Sequence, residues 1–85
     1  MNRLLTHEQL HFDISELYAR KMRKILSEFH PKTLNEAKLQ LKRIHHKVER
    51  ERIYFQNTYD KETQHGTLTK QQQRWQKRVG KALSE

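Results

Sequence analysis

The chain has 85 residues, 33% of them hydrophobic and 33% charged, with 18 Lys+Arg against 10 Asp+Glu for a formal charge of +8. That length fits one small domain with a thin core. The absence of cysteine excludes disulfides, thiolate metal sites and cysteine catalysis. No apolar run approaches the ~20 residues of a membrane span, and Met1 to Leu10 is too short and too polar for a signal peptide.

Two glycines and one proline give too little punctuation for a many-stranded sheet. The chain reads as all-α: a long antiparallel helical hairpin plus a third amphipathic helix, in a single domain over residues 1–85. Helix 1 is expected over about 2–29, with Asn2 or Thr6 as N-cap. Its stripe is Leu10, Ile14, Leu17, Tyr18, Met22, Ile25, Leu26 and Phe29, in steps of three and four. Pro31 then disfavours helix at His30.

Helix 2 is expected over about 33–59. It opens with Thr33-Leu34-Asn35-Glu36, a capping box in which side chains and backbone N–H groups satisfy each other. One heptad row then holds Leu34, Leu41, Val48 and Phe55, the other Ala37, Ile44, Glu51 and Thr58. The short connection makes helix 1 the packing partner, and a homodimer would show the same pattern. Residues 60–68 read as a loop. Helix 3 is expected over about 69–83, with Thr69 and Gln72 as a second capping box. Trp75, Val79, Ala82 and Leu83 form its core face, and Lys70, Arg74, Lys77, Arg78 and Lys81 its basic face.

The chemistry-bearing string is His7-Glu8-Gln9-Leu10-His11. Histidines four apart lie one turn up on the same helical face, where two imidazoles can hold one Zn²⁺. The Glu between them can take a proton from metal-activated water. Both histidines adjoin the Leu10–Ile14–Leu17 stripe, so each needs a partner. Counting back along the hairpin from a tight turn sets Glu51 level with His11 and Phe55 level with His7. A third ligand is thus expected from Glu51 or from the following loop, which contains His65.

The stretch LLTHEQLHFDISELYARKMRK, with YDKETQHG and Gln73-x-Trp75 later, resembles a bacterial family known as a domain of unknown function. Its members are predicted zinc-dependent proteases and are often predicted to be secreted. The resemblance implies a zincin-like active-site helix with His7 and His11 as zinc ligands and Glu8 as general base. It implies His65 as third ligand and Asp60 as another ligand or a support for one. Tyr59 is a candidate oxyanion donor. It also implies a periplasmic or secreted location and a peptide or protein substrate. Family members are longer and carry an upstream β-containing part, whereas this chain begins almost at the zinc helix. The expected function is therefore a zinc metallopeptidase or its metal-binding core. The alternative, from the basic face of helix 3, is a non-enzymatic module that binds nucleic acid or an acidic protein.

Overall fold

A computed structural model describes residues 3–85. It contains three helices in chain order, α1 (Arg3–Ser27), α2 (Leu34–Thr63) and α3 (Thr69–Ser84), and no strand among the described residues. The fold is all-α. Asn2 lies outside the described residues, and Thr6 lies within α1 rather than capping it.

The antiparallel order of α1 and α2 follows from their cross-links. His7 meets Asp60, His11 meets Gln56, and Lys21 meets Glu51. Thr33 caps α2 with extended backbone, its hydroxyl accepting from the Glu36 N–H at 3.0 Å. The return half of the capping box goes one residue further back, to the Lys32 N–H at 3.1 Å.

Two boundaries differ from expectation, and both matter for the site. First, α2 runs to Thr63, four residues past the expected end. Gln64 closes it in the left-handed region (φ 46, ψ 57), and the His65 N–H donates to the Asp60 carbonyl at 2.9 Å. Inside that last turn the Thr63 hydroxyl donates to the Tyr59 carbonyl at 2.7 Å, so a turn-favouring side chain is satisfied within the helix. Asp60 is therefore helical, not part of a loop. Second, the hairpin register is shifted. His7 lies 20 residues before the end of α1, whereas Asp60 lies 26 residues after the start of α2. The chain over residues 28–33 runs on past α1 before α2 returns. At 1.5 Å per residue those six extra residues project about 9 Å. Leu34 and Leu41, expected in the seam, are consequently exposed.

The core forms at the opposite end, where α3 closes over the hairpin. Leu10 and Ile14 from α1, Tyr59 from α2, and Trp75 and Val79 from α3 make one buried cluster, with Leu17, Tyr18, Phe55 and Leu83 packed against it. Trp75 is the expected anchor of α3, and its indole N–H donates to Glu62 at 3.1 Å. Arg78 leaves the expected basic face to lie over the rings of Phe55 and Trp75, 5.1 Å from each centroid. Lys70, Arg74, Lys77 and Lys81 stay exposed. No helix of the described residues is long and apolar enough to cross a membrane.

Candidate metal centre

The i, i+4 spacing of His7 and His11 directs both rings from α1 toward the last turns of α2. Their Nε2 atoms each lie 2.8 Å from the same oxygen, Oδ1 of Asp60. The three donor atoms lie within 4.8 Å of one another. His7 is buried and His11 half-buried. The two rings meet edge to face with centroids 4.8 Å apart, and Tyr59 stacks on His7 at 4.7 Å.

Each imidazole is held at its other nitrogen by a glutamine. Gln56 donates through its amide nitrogen to the His11 carbonyl and to the Ser15 hydroxyl, both at 3.0 Å. Those bonds orient the amide so that its oxygen faces Nδ1 of His11. Gln72 of α3 turns its oxygen toward Nδ1 of His7 at 3.3 Å and accepts the Tyr59 hydroxyl at 2.8 Å. An amide oxygen only accepts, so in this orientation each glutamine favours the tautomer with the proton on Nδ1. A neutral imidazole in that tautomer presents a lone pair at Nε2. Two lone pairs thus converge on a carboxylate oxygen, an arrangement that is favourable only around positive charge. A two-nitrogen, one-oxygen set is what a zinc site with an open position uses, at bond lengths of about 2.0–2.2 Å. The three donors lie close enough together to form a candidate cation site.

The electrostatics suit that role. Burial pushes the Asp60 carboxyl up, but hydrogen bonds from His11 and His7, with their charge, hold it below its usual value. Asp60 is therefore ionised at neutral pH. Burial pushes the Tyr59 phenol up to about 12, helped by the nearby charges of Asp60 and Glu8 and opposed by the bond to Gln72. Its hydroxyl lies inside the core against Gln72 and the His7 carbonyl. It is fully buried there, unlike the open position expected of an oxyanion donor.

The other expected site residues separate clearly. Glu8 is exposed on α1 beside His7. His65 follows the α2 cap at φ 57, with its side chain 82% exposed and Nδ1 3.8 Å from Asp60 Oδ1. It stands at the rim, outside the trio His7, His11 and Asp60. Glu51 pairs with Lys21 because of the register shift and lies outside the trio. His45 and His46 are exposed on α2, away from the trio. Gly66 (φ 86) packs so closely on His7 that a Cβ there would lie 2.9 Å from the ring.

Gln56 and Gln72 carry no spacing signature that marks them as partners of the two histidines. The available signal for Gln72 was its place on the same helical stripe as Trp75 and Val79. The expected Thr69–Gln72 capping box does not form. Leu68 is the N-cap of α3 and its apolar side chain makes no bond there, while the Gln72 side chain faces His7 and Tyr59.

Residues 1–66 match the model of a family described as "Bacterial protein of unknown function (DUF922)". The chain belongs to that family. The matched residues of the DUF922 protein include His7, Glu8, His11, Asp60 and His65, while α3 follows them. Neither a curated protein nor a solved structure matches the chain.

Proposed function

We propose that this DUF922 protein is a zinc-dependent peptide hydrolase, or the metal-binding core of one, with His7, His11 and Asp60 as the protein ligands. The observation that carries the reading is the convergence of two Nε2 atoms and a carboxylate oxygen within 4.8 Å. When bound, zinc supplies a Lewis acid that lowers the pKa of water and polarises a carbonyl. The chain's own residues supply the rest. Asp60 stays ionised through neutral pH and offsets the ion's charge. Gln56 and Gln72 hold the imidazoles in the tautomer that leaves Nε2 free to bind. Glu8, exposed beside His7, takes a proton from the attacking water and returns it to the leaving amine.

The test combines metal analysis with one substitution. Purified protein is expected to take up one zinc per chain, with the ion lost in His7→Ala and His11→Ala. Glu8→Gln should keep the zinc and abolish cleavage of an unfolded protein substrate. Failure to take up zinc would remove the metal reading, and retained cleavage in Glu8→Gln would remove Glu8 from the chemistry.

A second reading rests on the exposed row Lys70, Arg74, Lys77 and Lys81, three of which line a shallow surface groove with Gln73. In that reading α3 binds nucleic acid or an acidic protein through a salt-sensitive contact. Reversing these charges would abolish such binding and leave zinc affinity unchanged.

A further inference from the structure

Gln72 sits on α3, beyond the residues that match the family. We propose that it is the positioning residue that sets the tautomer of His7 and thereby makes this imidazole a metal ligand. The inference rests on the reading of His7 as a ligand and adds α3 to the working parts of the site.

The geometry carries the argument. His7 is enclosed on three sides. Tyr59 stacks on its ring, Gly66 abuts it, and Gln72 meets Nδ1. Orientation is thus over-determined, but among the described residues it is Gln72 that offers a hydrogen-bond partner to the nitrogen whose protonation decides whether Nε2 donates or accepts. Its amide oxygen is held in place by the Tyr59 hydroxyl at 2.8 Å. The arrangement has a visible cost. The amide nitrogen of Gln72 is buried and has no hydrogen-bond partner among the described residues. A buried donor without a partner is unfavourable, and α3 also forgoes the side-chain cap that this glutamine offers from sequence. Gln56, by contrast, satisfies both ends of its amide while serving His11. What Gln72 gains for these costs is an acceptor aimed at His7. Partners of this kind, one bond removed from the metal, typically change affinity 10–100-fold.

The test uses the full chain in three forms: wild type, Gln72→Met and Gln72→Glu. Methionine fills the space and removes the acceptor. Glutamate keeps an oxygen toward both Tyr59 and His7 and removes the orphaned N–H. Long-range ¹H–¹⁵N correlation in metal-free protein, above the imidazole titration range, reads the tautomer of His7. Wild type and Gln72→Glu should show the Nδ1–H form, and Gln72→Met should lose it. Zinc affinity by chelator competition should fall about 10–100-fold in Gln72→Met and recover in Gln72→Glu. Circular dichroism and Trp75 fluorescence check that all three fold alike. A variant that merely loosens the core would not be rescued by a buried carboxylate. An unchanged tautomer in Gln72→Met, or an affinity within about threefold of wild type, would overturn the proposal and leave the zinc site standing. If wild type takes up no zinc, the reading of the site fails, and the tautomer comparison still decides for or against Gln72.

Discussion

Removing the Asp60 carboxylate should cost far more zinc affinity than removing the His65 imidazole. Asp60 Oδ1 lies 2.8 Å from both Nε2 atoms, whereas the His65 ring is 82% exposed and approaches only to 3.8 Å. Zinc held by four protein ligands is worth about 10–16 kcal/mol, or roughly 2.5–4 kcal/mol per ligand. At 1.4 kcal/mol per decade, loss of one ligand weakens binding by about two to three orders of magnitude. Asp60→Ala should therefore bind zinc at least about 100-fold more weakly than wild type. Alanine suits the last turn of α2, so the helix survives the change. For His65 the appropriate variant is His65→Asn, because asparagine tolerates the left-handed backbone at φ 57. It should stay within about threefold of wild type, less than the loss of even one supporting contact to a ligand. Competition against a chromophoric chelator at fixed pH reads both. A full loss in His65→Asn with near-normal binding in Asp60→Ala would refute the assignment and make His65 the third ligand.

Two further outcomes follow from packing and burial. Gly66→Ala combines a left-handed backbone, at about 1–2 kcal/mol, with a Cβ 2.9 Å from the His7 ring. The melting temperature should drop by about 4–8 °C per kcal/mol, and zinc affinity should fall with it; unchanged values for both would contradict the packing described. Alkaline titration tests Tyr59, whose phenol is pushed up to about 12 from an ordinary 10.0. Between those values the folded chain holds a proton that the unfolded chain has released. This tyrosine's contribution to stability is therefore complete below pH 10 and is lost as pH rises toward 12. Phenolate absorbance should show a late component that disappears in Tyr59→Phe; a titration unaltered by that change would place the phenol outside the core.

The parts of the site that could be read from the chain were those whose chemistry imposes a spacing. His7 and His11 announce themselves because i, i+4 is a helical repeat, and the structure does bring their Nε2 atoms together. The three helices were legible for the same reason, since periodic apolar positions survive in Leu10, Ile14, Trp75 and Val79. Asp60 was recognised as a site residue but placed in a loop. The run Asp-Lys-Glu-Thr-Gln-His-Gly looks like turn chemistry until Thr63 is seen to satisfy its hydroxyl within the helix. Glu51 does not stand level with His11 because residues 28–33 take a longer path than a tight turn, and that path is set by three-dimensional packing rather than by composition. Gln56 and Gln72 were out of reach. Neutral amides are common on helices, and only the fold shows which of them face a histidine nitrogen.

The displaced hairpin also divides the molecule by how readily it opens. The particle is 50 Å long, and a 30-residue helix alone spans about 45 Å. The first turns of α2 therefore rest on little besides their own hydrogen bonds. Segments of that kind exchange their amide hydrogens through local fraying at almost no free-energy cost, whereas packed ones exchange only when the whole unit comes apart. Exchange along α2 should slow steeply from Leu34 toward Tyr59, so that one continuous helix behaves as two segments. Its late-opening segment bears Asp60 and Gln56. Damage or cleavage near Leu34 would be absorbed at the loose end, while the end bearing Asp60 and the two histidines would be the last to let go.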